Sequence, residues 1–316
     1  MRALRATTTS RRVQQLRRAG SALALLGACA LAAGCGSAVA PKPGSRLQVV
    51  AAENFWGSIA AQLGGAHVHV HSIINNPDTD PHDYEPTPED ARLTAGAQLV
   101  IVNGIGYDEW AQHLLSASES SARSVLDVGT LLGLRTGADP HQWYSPISVQ
   151  RVIAALSADY ERLDPRYRSY FEAQQRTFEA VDLARYHALL DQIRARYAET
   201  PVGYSESIFT PLGEYLHLRL MTPYAYAKAV AEGTEVSAAD QQQVEAQARN
   251  HEIKVWVYNS QNATPSVQRI NAIASAAHVP IVTITETLSP ASDTFEQWQV
   301  LQLERLVVAL RAATGR

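Results

Sequence analysis

The stretch from Pro165 to Tyr197 has no glycine or proline in its interior. Its apolar residues recur at three- and four-residue steps through Tyr167, Tyr170, Phe171, Phe178, Val181, Tyr186, Leu189, Leu190, Ile193 and Tyr197. That period is helical. Asp164 is placed to cap the helix, and Pro165 suits its first turn, where a missing N–H costs nothing. A helix of this length would run roughly 45 Å. It is long enough to lie along two lobes and join them, so the chain is expected to fold as two halves either side of a rod.

Each half alternates short apolar strands with helices. Before the rod, strands are expected at 47–51, 66–74, 98–103 and 124–128, with helices at 55–63, 89–95, 107–116 and 147–163. After it, strands are expected at 202–205, 218–221, 253–258 and 280–285, with helices at 208–216, 237–250, 264–277 and 295–313. This rhythm specifies an α/β protein: two Rossmann-like (β/α) lobes with mostly parallel sheets. The halves share only the rhythm; no short repeat is present.

The N-terminus reads as an export signal. Residues 1–20 hold Arg2, Arg5, Arg11, Arg12, Arg17 and Arg18 and no acid, residues 21–33 are small and apolar, and Gly34-Cys35 follows. The apolar run is too short to span a bilayer, which takes roughly 20 residues. A lipoprotein-type signal peptide at 1–34 is expected, with Cys35 lipidated. One departure is that Ala32 stands where a lipobox usually has Leu, and Leu31 lies one residue further back. The alternative is ordinary cleavage nearby that leaves Cys35 free. The remaining organisation is a lipidated tether at 35–45, an N-terminal lobe at 46–164, the linking helix at 165–197 and a C-terminal lobe at 198–316. The protein is then exported and held by its anchor at the outer face of the bacterial cytoplasmic membrane, or on the periplasmic side.

The only other cysteine, Cys29, lies in the segment to be removed. The processed chain therefore has no thiol for a disulfide, and any metal site must be built from His, Asp and Glu. The formal net charge is −4, and residues 1–34 hold six arginines and no acid, so the processed chain carries −10. An acidic surface argues against nucleic acid and suits a cation.

Two segments repeat one device. Asp80-Pro81-His82-Asp83-Tyr84-Glu85-Pro86-Thr87-Pro88 follows a strand, and Asp139-Pro140-His141-Gln142-Trp143 precedes a helix. Proline stiffens the backbone beside each histidine, which lowers the entropy lost when the imidazole binds a ligand. Glu206, in Tyr204-Ser205-Glu206-Ser207, sits where a strand gives way to a helix; it reads equally as a ligand at the sheet's binding edge or as a helix-capping acid. Asp293, in Ser292-Asp293-Thr294-Phe295, lies at another loop mouth, where an N-cap is the simpler role. His67, His69 and His71 alternate along one strand face and read as solvated rather than chelating. His113, His187, His217, His251 and His278 show no partner pattern.

In this order, His82 in its Asp-Pro-His-x-Tyr-Glu-Pro-Thr-Pro context, His141 in Asp-Pro-His-x-Trp, Glu206 in Ser-Glu-x-x-Phe and Asp293 in Ser-Asp-Thr-Phe resemble the cluster A-I metal-binding solute-binding lipoproteins of bacterial ABC importers for zinc, manganese or iron. The resemblance spans essentially the whole processed chain. It implies one divalent transition-metal ion, Mn²⁺ or Zn²⁺ with Fe²⁺ as a further candidate, held between two lobes joined by one rigid helix. His82 and His141 would come from the first lobe, Glu206 and Asp293 from the second. Glu286, in Thr285-Glu286-Thr287 on the same strand end, is the alternative fourth ligand. The implied partners are an ABC permease and its ATPase subunit, with the protein itself a monomer. Zinc-dedicated members usually carry His at the third position and often a His-rich loop after the first histidine; this chain has Glu206 and no such loop, which leans toward manganese or iron.

An enzyme is not expected. Two His and two carboxylates could hold a catalytic zinc, but no His-Glu-x-x-His motif, nucleophile elbow or Gly-rich phosphate loop is present. An extracytoplasmic metallohydrolase, or a metal-binding adhesin or storage protein, are the alternatives.

Overall fold

The computed structural model describes residues 44–77, 79 and 84–316. The signal peptide, Cys35 and the tether up to residue 43, together with Asp80, Pro81, His82 and Asp83, lie outside the described residues. Residues 38–316 group as one unit.

The first lobe runs β1 (Leu47–Glu53), α1 (Asn54–Gly64), β2 (Val68–Ile74), α2 (Pro88–Gly96), β3 (Leu99–Val102), α3 (Glu109–Ala117), β4 (Ser124–Asp127), α4 (Val128–Leu132) and α5 (Pro146–Leu163). α6 (Arg168–Thr177) and α7 (Ala184–Tyr197) follow. The second lobe runs β5 (Pro201–Tyr204), α8 (Thr210–Tyr215), β6 (Arg219–Leu220), α9 (Tyr224–Ala231), α10 (Ala238–Arg249), β7 (Val255–Asn259), α11 (Pro265–Ala276), β8 (Ile281–Ile284) and α12 (Phe295–Thr314). The sheets are ordered β2-β1-β3-β4 and β6-β5-β7-β8. Every pairing is parallel. The halves that share only a rhythm in sequence thus share one topology.

Strand periodicity divides the core. On β1, Leu47, Val49 and Ala51 face one cluster, which also takes in α1, α5, α6, α7, α12 and the inner face of the second sheet. Val50 and Ala52 face the other way, toward Trp110. Likewise Val255 and Val257 of β7 join the shared cluster while Trp256 faces the outer one. Side chains alternate across a strand, so one apolar run supplies both layers. A single apolar cluster continues from one lobe into the other, which opposes wide separation of the two.

The expected rod forms with two modifications: Pro165–Tyr167 is a 3-10 turn, with the Asp164 carboxylate bound by Arg166 rather than capping the helix, and the helix divides near its middle. α6 packs on α1 and α5 of the first lobe, α7 on α12 of the second. Between them Phe178–Asp182 is a π-helical turn, closed by the Leu183 N–H donating to the Phe178 carbonyl at 2.9 Å. Phe178 and Leu183 are both buried. Residues five apart face different ways on an α-helix; the i+5 bond brings them onto one side, so the apolar stripe can pass from one lobe's helices to the other's. Neither proline nor glycine is needed, which is why the break is invisible to a breaker scan.

Other departures are local. Val128, expected to end a strand, opens α4, because the Asp127 side chain accepts the Thr130 N–H at 2.7 Å and caps a helix there. The expected strand from residue 66 begins only at Val68; Gly65–His67 is a 3-10 turn, and His67 stacks on Tyr167 with ring centroids 3.6 Å apart. α9 was not expected. His217, His251 and His278 adopt φ of 56°, 57° and 55° just past α8, α10 and α11. They occupy the left-handed position that ends a helix, a role usually given to Gly or Asn.

Candidate metal centre

In each sheet the strand order reverses direction between the first and third strands of the lobe. In open parallel sheets, ligands bind beyond the carboxyl ends of the strands at such a point. Polar residues at or just past the ends of these otherwise apolar strands include Asn103 after β3, Ser205 and Glu206 after β5, Asn259 closing β7, and Glu286 two residues beyond β8. All five are buried.

His141 is set in a built loop. The Trp56 indole N–H donates to Asn103 Oδ1 at 3.0 Å, and the opposite end of that amide, Nδ2, donates to the Pro140 carbonyl at 3.0 Å. Two residues on, Trp143 stacks on Phe55 with centroids 3.9 Å apart. Asp139 Oδ1 accepts the His141 backbone N–H at 3.1 Å and lies 2.6 Å from His141 Nδ1. A carboxylate partner assigns the proton to Nδ1 and leaves the lone pair on Nε2. Nε2 is buried and has no hydrogen-bond partner among the described residues. An imidazole held by a carboxylate on one nitrogen with the other bare is the arrangement of a metal-ligating histidine.

Opposite stand two buried acids. Glu206 does not cap the turn at Ser207–Phe209 that follows it. Its Oε1 accepts from Asn259 Nδ2 and its Oε2 from Asn262 Nδ2, the latter at 2.8 Å. Glu286 Oε1 accepts from the same Asn259 Nδ2 at 3.1 Å, and its Oε2 from the Tyr107 hydroxyl at 3.1 Å. One amide thus lies between two carboxylates, and every oxygen of the pair has a neutral donor. Burial first, and then the neighbouring Glu286 charge, push the Glu206 carboxyl up to about 8, against the opposing pull of His141, Asn259 and Asn262. For His141, burial works to lower the imidazole, but the bond and charge of Asp139 and the charges of Glu286 and Glu206 outweigh it, and the group is raised.

His141, Glu286, Asp139 and Ser207 line a cavity of about 690 Å³ together with Pro77 and Thr79 at the start of the His82 segment. Among the described residues no three His, Cys, Asp or Glu side chains are already placed to hold a metal ion. The structure brings His141, Glu206 and Glu286 together. Asp293 is partly exposed in the turn before α12, where its N–H donates to the Pro290 carbonyl at 3.1 Å; neither it nor Glu206 lines the cavity. The cap of α12 is Thr294, whose N–H donates to Gln297 Oε1 at 3.1 Å. The half of the first motif that is described has a structural role. The Tyr84 hydroxyl and the Thr87 N–H donate to Asp90 Oδ2 at 2.8 and 2.7 Å, closing a capping box on α2.

Asn259, Asn262, Tyr107 and Asn103 belong to the site without standing in any of the sequence motifs. Two of them carried a signal: Asn103 and Asn259 each end an apolar strand, where a polar side chain has no packing reason to be.

Two further acids are buried at the first lobe's strand ends. Glu53 is held well above the usual carboxylate range by burial and then by the Asp108 charge, and Asp108 is raised to about 6 by burial, against the amides of Gly104 and Asn103.

A family model described as zinc-uptake complex component A, periplasmic, matches residues 49–309. The manganese-binding lipoprotein MntA of Halalkalibacterium halodurans is 28% identical over 142 residues, 43% of this chain and 46% of that protein. The manganese ABC transporter substrate-binding lipoprotein PsaA of Streptococcus pneumoniae is 30% identical over 146 residues, 41% of this chain and 46% of that protein. The chain thus spans about half the length of the curated relatives it matches. Among solved structures, a manganese-bound periplasmic metal-binding protein from candidatus liberibacter asiaticus superposes with a TM-score of 0.69 at 18% identity, over 84% of this chain and 100% of that one. At that identity the likeness is one of fold.

Proposed function

The chain belongs to the family of periplasmic zinc-uptake components, and on that premise we propose that it is the extracytoplasmic receptor of an ABC importer, capturing one divalent transition-metal ion between its lobes. It hands the ion to a membrane permease driven by an ATPase subunit. The observation that carries this reading is the buried Nε2 of His141, without a partner among the described residues, on a ring that Asp139 orients and that lies within the charge influence of the buried Glu206 and Glu286.

The proposed ligands are His141, Glu206 and Glu286, with His82 as the fourth on the strength of its sequence motif. Glu286 takes the place that the motif reading gave first to Asp293, because it shares the Asn259 amide with Glu206 and lines the same cavity as His141. Two imidazoles and two carboxylates neutralise M²⁺, without which burial of a dication would be prohibitive. In the metal-free protein the Asn259 amide and a retained proton do part of that work, so metal entry displaces the proton and shifts the amide's hydrogen bonds. Carboxylates that can bind through one or two oxygens suit manganese, while a mixed nitrogen and oxygen set also takes zinc at least as tightly in a test tube. The protein is proposed to act as a monomer, without catalytic turnover, held to the membrane through Cys35. The domain boundaries given above are proposed for the processed chain.

The test is a thermal-shift titration with Mn²⁺ and Zn²⁺ on chelator-treated protein. A ligand bound only by the folded state raises stability by mass action. His141→Ala and His82→Ala should each remove most of the metal-dependent rise, while the exposed His187→Ala should keep it. Equal behaviour of the three variants would refute the ligand assignment.

A further inference from the structure

Gln261 follows β7 in the second lobe and lines the cavity. Its side chain is used at both ends. Oε1 accepts the backbone N–H of Glu286 at 2.6 Å and of Thr287 at 3.1 Å. Nε2 donates to the Thr287 hydroxyl at 2.8 Å and to the Pro77 carbonyl. Pro77 belongs to the first lobe, just beyond β2. One amide therefore holds the backbone on which Glu286 is mounted and ties it to the opposite lobe.

Other hydrogen bonds cross between the lobes from buried positions. The Tyr144 hydroxyl donates to the Thr285 carbonyl at 2.7 Å, and the Leu288 N–H donates to Asn54 Oδ1 at 3.2 Å. Tyr144 and Asn54 are buried, whereas Gln261 is only partly buried and stands on the cavity wall. A hydrogen bond within reach of water opens at lower free energy than one sealed in a core. The Gln261 bonds are thus placed to break before the core contacts do.

We propose that Gln261 is a latch for metal release: a positioning residue that holds Glu286 in place and couples it across the cleft to Pro77, so that loss of its cross-lobe bond frees the ion without separating the lobes. The proposal rests on the metal-capture reading above. It assigns no contact between Gln261 and the metal.

Two substitutions separate the latch from simple electrostatics. Gln261→Glu keeps an acceptor for the Glu286 and Thr287 amides but loses the donor to Pro77, and it adds a negative charge to the cavity wall. The added charge by itself would hold a cation longer; loss of the latch would let it go sooner. Gln261→Met removes both ends at constant charge. The assay is stopped-flow release of Mn²⁺ or Zn²⁺ from loaded protein into excess chelator. Wild type is first shown to bind the ion, and metal-free thermal stability is measured alongside. Both variants should release the ion about tenfold faster than wild type, the factor one hydrogen bond of ordinary net strength carries.

Release from Gln261→Glu at or below the wild-type rate overturns the latch, as does a variant that loses metal-free stability with its release rate unchanged. A wild type that binds neither ion overturns the metal-capture reading, and the latch with it. Hydrogen exchange on the wild-type protein needs no variant to fold. The amides of Glu286 and Thr287 should be protected, and exchange at unprotected rates overturns the proposal.

Discussion

Replacing Glu206 with Gln should stabilise the metal-free protein near neutral pH while impairing what the site is for. The unfolded chain gives up this proton near the ordinary value of 4.5, and the folded protein keeps it to about 8, chiefly because burial and the Glu286 charge disfavour the second negative group. A carboxyl raised in the folded state contributes stability that is fully present below the unfolded value and is lost as pH rises through the folded one. By pH 7 the wild type has lost roughly 3 kcal/mol relative to pH 4.5, at about 1.36 kcal/mol per pH unit. Glutamine does not titrate and avoids that loss. It gives back part of the gain: one end of its amide must meet Asn259 or Asn262 donor to donor, at about 1–2 kcal/mol. The expected net gain is about 1–2 kcal/mol at pH 7, vanishing or reversing near pH 4.5. The assay is urea denaturation of chelator-treated wild type and variant at pH 5, 6, 7 and 8. With saturating Mn²⁺ the order should invert, because only the wild type has the full ligand charge. A variant less stable than wild type at pH 7, or a difference that does not grow with pH, would refute the assignment of Glu206 as a buried, proton-holding member of a carboxylate pair.

Two further outcomes are expected. Glu286→Ala should remove most of the metal-dependent rise in melting temperature and Asp293→Ala should leave it nearly whole, read by the same thermal titration; the reverse ranking would return the fourth ligand to Asp293. Cys35→Ala should move the protein from the membrane fraction to the soluble one, since stable anchoring takes more than one acyl chain and each buried CH₂ contributes about 0.8 kcal/mol; unchanged fractionation would remove the lipid-anchor proposal.

Much of this protein is written locally in its chain. Alternating strand and helix periods are properties of a few residues at a time, so the two α/β halves and the helical stretch between them could be read without coordinates. The stiff Asp139-Pro140-His141 turn was legible for the same reason, as was the placing of Glu206 at a strand end. What the sequence could not decide was which acid stands beside Glu206. Glu286 and Asp293 are seven residues apart on the same connection, and each has a plausible local role. Only the parallel register of β5, β7 and β8 places Asn259 between Glu206 and Glu286, while Asp293 falls in a turn whose N-cap duty belongs to Thr294. The π-helical turn at Phe178–Asp182 is likewise a tertiary decision. It carries no breaker residue and arises because the apolar face must pass from one lobe's helices to the other's. The Asn103, Asn259 and Gln261 amides follow the same rule. An amide's chemistry is nonspecific in sequence, and its role is set by which two groups from distant parts of the chain the fold brings to its two ends.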